Sequence, residues 1–184
     1  KAPSSLQQET VRILLSAGAD PNSKAYSPAV TPLGLAVINQ DPLIVEIILK
    51  HKGNALTVGF SHRSLLRNIA GHSNSYDVLT GCLSDDNYSA PIAKLLVSYG
   101  CRVDVRDDHQ RTPVMLAAQN GKLELLEYLL AAGADSKALD KSGNSAIDYV
   151  KGSVDHFERF PNPKPEYQAC CLQRLASIVR LLER

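Results

Sequence analysis

The stretch RTPVMLAAQNGKLELLEYLLAAGAD, residues 111–135, carries the signals of two short helices joined by a turn. Thr112 is a favourable N-cap because its hydroxyl accepts a hydrogen bond from an otherwise unpaired backbone N–H. Pro113 suits the first helical position, where no backbone N–H is needed. Gly121 permits a left-handed turn between the helices, and Gly133 is typical of the residue that follows a helix. The stretch therefore predicts a helix–turn–helix hairpin followed by a loop.

Related segments recur along the chain. TPLGLAVINQDPLIVEIILKHKGNA, residues 31–55, follows the same template, while residues 14–20 and 95–104 repeat only its end. The glycines that close the predicted units are 35, 47 and 33 residues apart: Gly18, Gly53, Gly100 and Gly133. A period near 33 residues, with T-P-L-x-x-A and G-A-D signals, resembles the ankyrin repeat.

The resemblance covers nearly the whole chain and implies its fold. We expect an all-α ankyrin-repeat solenoid of stacked helix–turn–helix units with β-hairpin-like finger loops. The first unit shows an outer helix, from Leu6 to Ser16, without an inner helix before it, which predicts a fragment of a longer protein or an atypical cap. A single domain is expected over residues 1–184, with units at about residues 1–26, 27–57, 58–106, 107–139 and 140–184.

The third unit is irregular. Its outer helix is expected from Ala90 to Tyr99 and its inner helix at residues 75–83, which leaves residues 57–74 as an insertion in the finger loop. An alternative alignment makes SLLRNIA, residues 64–70, the inner helix and moves the insertion between the two helices. Both alignments predict a long loop, and such loops are usually functional or disordered.

The fifth unit also departs from the template. Ser145 takes the capping place of Thr, and the outer helix is expected to be delayed by VDHFERFPNPKPEY, residues 154–167. Prolines in this stretch predict an extended path before the last helix begins at about Glu166: Pro161, Pro163 and Pro165.

Composition excludes several functional classes. The chain is 44% hydrophobic but only 5% aromatic, which suits helix pairs packed through aliphatic residues, and its formal net charge of +1 gives no argument for nucleic acid or membrane as a general partner. No apolar run approaches the roughly 18 residues of a membrane span, and the first ten residues lack a signal-peptide core. The cysteines show neither disulfide nor metal spacing, which favours a reduced protein in the cytoplasm or nucleus: Cys82, Cys101, Cys170 and Cys171. We also expect a monomer.

No motif supports catalysis. The chain lacks G-x-S-x-G and phosphate-binding glycine loops, and none of its five histidines lies at metal-ligand spacing. Asp107 and Asp108 beside His109 could indicate a metal or acid–base site. In an ankyrin-like finger these positions are exposed tips, so a loop role or a partner contact is favoured. We therefore expect no enzymatic activity, no cofactor and no metal.

The resemblance implies instead a protein- or peptide-binding module. In the ankyrin family the inner helices line a concave face beside the projecting fingers, and exposed residues there read a partner. The alternative is a regulatory or scaffolding ankyrin domain that packs within a larger parent enzyme, ubiquitin-ligase adaptor or channel. Carried over by position, the candidate partner-binding residues are Tyr26, Ser27, Val30, Ile38, Asn39, Asp108, His109, Arg111, Gln119, Asn120, Lys141 and Asn144.

A basic stretch suggests a second contact. Residues 47–76 contain no Asp or Glu, and the insertion places Arg63 and Arg67 one helical turn apart. This stretch is either a solvated basic face or a docking site for an acidic partner segment, and we include both arginines among the candidate partner-binding residues.

Two further expectations come from the resemblance. Asn22, in LLSAGADPN, resembles the loop asparagine that ankyrin proteins often offer to an asparaginyl hydroxylase. The position after T-P-L is commonly His, but here it is Gly34, Met115 or Asp148, which puts the usual hydrogen-bond network between repeats in doubt.

Overall fold

A computed structural model describes residues 4–24, 31–56, 88–159 and 165–183. Within these ranges the chain forms α-helices and no strand. The helices are α1 (Ser4–Ser16), α2 (Pro32–Ile38), α3 (Pro42–Lys50), α4 (Ser89–Ser98), α5 (Pro113–Gln119), α6 (Leu123–Ala131), α7 (Ala146–Arg159) and α8 (Pro165–Leu182).

The helices pack in two layers. The outer layer contains α1, α3, α4, α6 and α8, and each of these helices packs against the next one along the chain. The inner layer contains α2, which packs on α3, and the neighbouring pair α5 and α7, which pack on α6 and α8 respectively. The predicted all-α solenoid of stacked helix pairs is confirmed.

The two short inner helices begin as their sequences predict. Thr31 and Thr112 have extended backbones, and each hydroxyl accepts a hydrogen bond from a backbone N–H of the first turn, at 3.1 Å and 3.4 Å. Pro32 and Pro113 follow at the first helical position, where a missing N–H leaves no bond unmade. The Thr-Pro dipeptide therefore sets where α2 and α5 start.

Small side chains allow the inner helices to pack closely. Ala117 and Ala118 of α5 are 0% exposed, and α5 packs against both α6 and α7. On the outer side Leu125, Leu126 and Leu129 of α6 are also 0% exposed. Full burial of one such leucine contributes about 1.5–3 kcal/mol to the stability of the fold. The core of the described stack therefore lies where these side chains are buried, between the two layers.

Three of the four closing glycines occupy the left-handed position that ends an outer helix. Gly133 has φ 88°, its N–H donates to the carbonyl of Leu130, and the N–H of Ala134 donates to that of Leu129, which is the Schellman arrangement. The other two are Gly18 and Gly100, with φ 91° and 95°.

Gly53 has a different role. After α3 the left-handed residue is Lys52, with φ 65°, and Gly53 follows it in closing the turn through its N–H to the carbonyl of Ile48 at 2.9 Å. A Cβ on Gly53 would lie 2.6 Å from Cγ2 of Ile48 and 2.7 Å from its carbonyl oxygen. Close packing, and not a positive φ, therefore requires glycine at this position.

The inner helix of the fifth unit corrects the prediction for residues 154–167. Helix α7 continues through residues 154–159, so it is twice the length of α2 or α5. Ser153 supports the extension because its hydroxyl lies within hydrogen-bond distance of the carbonyls of Tyr149 and Gln119, to either of which it can donate, and Val154 packs against the core. Residues 154–159 contain neither Gly nor Pro, and Pro165 begins α8 at the position where a helix tolerates proline.

Other sequence predictions agree with the described helices. Residues 89–98 form the outer helix expected at 90–99, and α8 begins at Pro165, one residue before the expected start. Its buried face contains Cys171, Leu175, Ile178 and Leu182. The insertion at residues 57–74, both alternative inner helices of the third unit, Pro161 and Pro163 lie outside the described residues. The choice between the two alignments therefore stays a prediction.

Candidate partner-binding surface

The finger of the fourth unit is built around the carboxylate of Asp107. One oxygen accepts from the backbone N–H groups of His109 and Arg111, at 2.9 Å and 2.8 Å, and the other accepts from Nε of Arg111 at 2.9 Å. The Asp107 side chain is only 4% exposed, whereas Asp108 and His109 are exposed at the tip. Asp107 therefore fixes the loop, and its neighbours face solvent.

The finger of the fifth unit repeats this arrangement 33 residues later. One oxygen of Asp140 accepts from the backbone N–H groups of Ser142 and Asn144, both at 2.8 Å, and the other accepts from the Tyr149 hydroxyl at 2.8 Å. Hydrogen bonds, led by the N–H of Asn144, lower the pKa of Asp140 to about 2. Burial, and then the bond to Asp140, raises the pKa of Tyr149 to about 12. Lys141 and Asn144 are exposed at this finger.

Backbone hydrogen bonds join the two fingers. In each finger the first residue donates to the carbonyl four residues later, at 3.1 Å for Asp107 and 3.0 Å for Asp140. The N–H of Lys141 then donates to the carbonyl of His109 at 3.0 Å, and the Arg106 guanidinium donates to the carbonyl of Leu139 at 2.9 Å. These bonds give the fingers their hairpin-like form and fix their spacing.

The inner-helix candidates lie at the C-terminal ends of α2 and α5. Ile38 is half-buried and Asn39 is exposed at the C-cap of α2. Gln119 and Asn120 are half-buried, and the Asn120 amide donates to the carbonyl of Leu116 at 2.7 Å. Asn120 is thus held by its own helix, while Gln119 faces a neighbouring groove.

That groove lies between the end of α5 and the long helix α7, and its volume is about 360 Å³. Along α7 it follows Asp148, Gly152 and His156, which share one face at intervals of four residues and are all exposed. The remaining residues that line it are Gln119, Asn144, Tyr149 and Ser153. This stripe is not predicted from the sequence, because the prolines at 161–165 lead to an expected end of the inner helix before Val154.

A second groove lies at the opposite end of the described stack and is apolar. It occupies about 630 Å³ between α1 and the pair α2 and α3, and its lining includes Leu14 and Leu35. These side chains are 54% and 46% exposed. The groove thus leaves apolar side chains of α1 and α2 open to solvent.

The described ranges show neither a metal-binding cluster nor a membrane-spanning helix. Residues 4–24, 31–56, 88–159 and 165–183 bring together no group of His, Cys, Asp or Glu that could hold a metal ion. In the same ranges, no helix combines the length and the apolar character needed to cross a membrane. The Asp107–Asp108–His109 cluster is explained by the finger, since both Asp107 oxygens accept hydrogen bonds from the loop itself.

Comparison with known proteins agrees with this architecture. A sequence model of the family described as "Ankyrin repeats (3 copies)" matches residues 62–140 and 79–158, which together span more than half of the chain. The chain belongs to the ankyrin-repeat family.

Three relatives show how widely the similarity extends. Human ankyrin repeat domain-containing protein 63 is 34% identical over 65 residues, which are 35% of this chain and 17% of that protein. Human protein phosphatase 1 regulatory subunit 27 is 35% identical over 57 residues, 31% of this chain and 37% of that protein. The putative ankyrin repeat protein YahD of Escherichia coli K12 is 26% identical over 152 residues, 70% of this chain and 75% of that protein. The chain thus spans less than half of either human relative.

In the fourth and fifth units, side chains that close the inner-helix caps occupy the ankyrin position that is commonly His. Sδ of Met115 lies 3.4 Å from the backbone N–H of Thr112. One oxygen of Asp148 accepts from the N–H and the hydroxyl of Ser145, at 2.8 Å and 2.6 Å. Both contacts run from the third helical residue back to the cap, which is the capping-box geometry. The caps are therefore kept without His.

Loop side chains supply hydrogen bonds between ankyrin units. The Asn22 amide donates to the carbonyl of Lys52 at 3.1 Å and accepts from the N–H of Asn54 at 2.7 Å. Asp104, at the corresponding place in the third unit, accepts from the N–H of Asp135 at 3.0 Å. Consecutive loops are thus joined at two of the unit boundaries.

Five of the candidate residues fall where no structure is described. Tyr26, Ser27 and Val30 belong to the finger before α2, and Arg63 and Arg67 belong to the insertion. Their proposed roles stay predictions. The described candidates group into three places: the end of α2, the two joined fingers, and the groove beside α7.

Proposed function

We propose that this ankyrin-repeat chain is a non-catalytic protein–protein interaction module that binds a protein or peptide on its concave inner-helix and finger surface. The joined fingers carry the proposal. Asp107 and Asp140 fix their backbones, while Asp108, His109 and Lys141 expose polar side chains. A fixed backbone loses little conformational entropy on binding, and ankyrin repeats generally mediate protein–protein interaction.

The described candidates contribute in different ways. Asp108, His109, Lys141 and Asn144 would contact the partner directly because their side chains are exposed. Arg111 is half-buried and bonded to Asp107, so its larger contribution would be to position the finger. Ile38, Asn39, Gln119 and Asn120 would extend the surface onto the inner helices, as Tyr26, Ser27 and Val30 would on the preceding finger.

Affinity capture with matched variants tests the proposal. The chain and a His109→Ala, Lys141→Ala, Asn144→Ala variant are used to capture proteins from cells that express the chain, and bound proteins are quantified by mass spectrometry. The control is Glu124→Ala, Glu127→Ala on the exposed side of α6. A partner that is lost with the finger variant and kept with the control supports the proposal. Equal capture by all three proteins contradicts it.

A regulatory domain that packs within a larger parent enzyme, ubiquitin-ligase adaptor or channel is the second candidate. The apolar groove beside α1 favours it, because exposed leucines in a concave apolar site suit an intramolecular or permanent contact. The name of the phosphatase regulatory subunit among the relatives fits a regulatory role for such repeats. Protection of the Leu14 and Leu35 region from hydrogen exchange in the full parent protein, but not in this chain, would support this candidate.

The insertion at residues 57–74 adds an electrostatic proposal. Arg63 and Arg67 would contact an acidic partner segment near the third finger. Changing both arginines to Glu should then slow association and weaken its salt dependence while leaving the melting temperature nearly unchanged. If the insertion only fills a gap in the stack, its deletion lowers the melting temperature and the charge reversal leaves the association rate unchanged.

Asn22 is proposed as a weak site for asparaginyl hydroxylation. Because both ends of its amide bond to the next unit, a hydroxylase would need the loop to open first. Mass spectrometry of the Asn22 peptide from the native cell tests this, and a peptide that carries no added oxygen on Asn22 contradicts it.

The last proposals concern the oligomeric state, the compartment and the molecules that the chain does not bind. We propose a monomer in the cytoplasm or nucleus that needs no cofactor and does not bind nucleic acid or insert into a membrane. Light scattering of the purified chain tests the monomer, since a mass of twice 20.0 kDa would contradict it.

A further inference from the structure

The groove beside α7 contains an opening that the fold does not require. Gly152 lies inside the helix, and a Cβ built on it would meet nothing within 4 Å. Its backbone is not in the left-handed region. Glycine is among the least favourable residues in a helix interior, yet neither packing nor conformation in the described structure explains it. Its effect is to leave a notch between Asp148 and His156, which lie one turn to either side.

Hydrogen-bond acceptors surround this notch. One oxygen of Asp148 is held by Ser145, and among the described residues the other accepts no hydrogen bond. The Gln119 and Asn144 side chains, which also line the groove, each provide an amide oxygen. The groove therefore offers one carboxylate oxygen and two amide oxygens to a donor that enters over Gly152.

The charges around the groove favour a cation. Hydrogen bonds from Ser145 lower the pKa of Asp148. Asp140 accepts a hydrogen bond from the Tyr149 hydroxyl and has a pKa of about 2. Both carboxylates are therefore ionised at neutral pH. The described lining contains no Lys or Arg, and His156 is its one basic side chain. Lys151 interacts with Asp148 but does not line the groove, and the guanidinium of Arg111 is paired with Asp107.

We infer that the groove formed by Gln119, Asn144, Asp148, Tyr149 and Gly152 binds an arginine side chain from an extended segment of a partner protein. A guanidinium has five N–H donors in one plane, which can reach several acceptors at once. The Tyr149 ring in the lining adds a surface on which that plane can stack. A volume of about 360 Å³ suits one long side chain. This inference rests on the proposed function and names the partner chemistry at one part of that surface.

A peptide selection tests the inference without knowledge of the partner. Random dodecamers displayed on phage are selected on the wild-type chain, and the enriched peptides are measured on the wild type, Gly152→Leu, Asp148→Asn, Glu127→Gln and a His109→Ala, Lys141→Ala variant. Gly152→Leu fills the notch, and because a Cβ meets no neighbour there, its melting temperature should not fall. Asp148→Asn removes the charge but keeps an oxygen for Ser145. Glu127→Gln is the matched carboxylate control on the exposed side of α6.

The expected result has two parts. Selected peptides share an arginine, and their affinity falls at least tenfold on Gly152→Leu but not on Glu127→Gln. Exchange of that arginine for citrulline, which keeps its shape and loses its charge, costs at least tenfold on the wild type and less than threefold on Asp148→Asn. If citrulline weakens binding much less on Asp148→Asn than on the wild type, the peptide arginine contacts Asp148.

Two outcomes overturn the inference in different ways. Peptides that depend on His109 and Lys141 but bind equally to Gly152→Leu and Asp148→Asn would remove the arginine site and leave the proposed function intact. A selection in which no peptide is enriched over beads without protein would contradict both peptide binding and the arginine site.

Discussion

At the residue scale, two aspartates and their partners determine the finger surface. Asp107 and Asp140 occupy the same place in consecutive repeats and accept backbone N–H groups in the same way. Their second oxygens differ, because Asp107 holds Arg111 while Asp140 holds Tyr149 of α7. The same backbone loop is thus combined with different side chains, which allows neighbouring fingers to present different chemistry.

The left-handed backbone of Lys52 gives a prediction about conformational strain. A left-handed backbone costs an L-residue roughly 1–2 kcal/mol, and glycine relieves this at an entropic cost of about 0.5–1 kcal/mol. Lys52→Gly should therefore raise the free energy of unfolding by up to about 1 kcal/mol, measured by urea denaturation. Lys151→Gly, the same change inside a helix, should lower it by about 1 kcal/mol. A lower stability for Lys52→Gly would contradict the backbone assigned to Lys52.

Cys101 gives a prediction about reactivity. Burial raises its pKa to about 11, and its thiol donates to the carbonyl of Ala55 at 3.0 Å. At pH 8 alkylation should be much slower at Cys101 than at the exposed Cys170, because the thiolate is the nucleophile. Site-resolved mass spectrometry after iodoacetamide treatment measures both rates.

The same pKa shift sets a pH dependence. The folded pKa of Cys101 lies above the ordinary value of 9.0, so the folded state keeps a proton that the unfolded state loses. This contribution to stability is present below pH 9 and is lost as the pH rises from 9 through 11. Equal alkylation rates for Cys101 and Cys170 at pH 8 would contradict the burial.

At the element scale, the sequence predicted helices best where local chemistry fixes their ends. Helices α2 and α5 begin as expected because the Thr-Pro dipeptide caps the first turn through contacts within that turn. Helix α7 was predicted too short, because prolines at 161–165 were taken to disturb residues 154–159 as well. What extends α7 is tertiary: Ser153 bonds to Gln119 of another helix, a contact that the local sequence does not contain.

The candidate site, like the helices, was predictable from the sequence only in part. Exposed finger tips such as His109 and Lys141 could be predicted because a repeat fixes their position. The stripe of Asp148, Gly152 and His156 was missed, although a helix extended to Arg159 would have placed all three on one face. A glycine inside a predicted helix was the available signal.

Gly152→Ala is predicted to stabilise the chain. A Cβ at this position meets no neighbour, and alanine in a helix interior is about 0.8–1 kcal/mol more favourable than glycine. The free energy of unfolding should rise by about that amount in urea denaturation. Gly53→Ala is the matched control and should destabilise, because its Cβ would lie 2.6 Å from Ile48. If Gly152→Ala also destabilises, the notch is filled in the folded protein.

At the scale of the whole molecule, contacts run mainly between neighbouring units. The outer helices pack in chain order, and the loop hydrogen bonds of Asn22 and Asp104 each reach only the next unit. In such a stack stability is close to a sum of unit and interface contributions. Damage in one unit should therefore affect its neighbours first.

Ala117→Asp tests this organisation. Ala117 is 0% exposed in α5, which packs on α6 and α7. A carboxylate there would be buried without a partner, a mechanism associated with losses above about 4 kcal/mol. Hydrogen exchange should become fast in α5, α6 and α7 while α3 keeps more of its protection, because α3 lies two units away in the stack. Ala176→Asp, at an exposed position of α8, introduces the same charge and should change the melting temperature little. A melting temperature for Ala117→Asp within one degree of the wild type would contradict the packing of α5 on α7, whereas equal loss of protection in every helix would show that the stack unfolds as one unit.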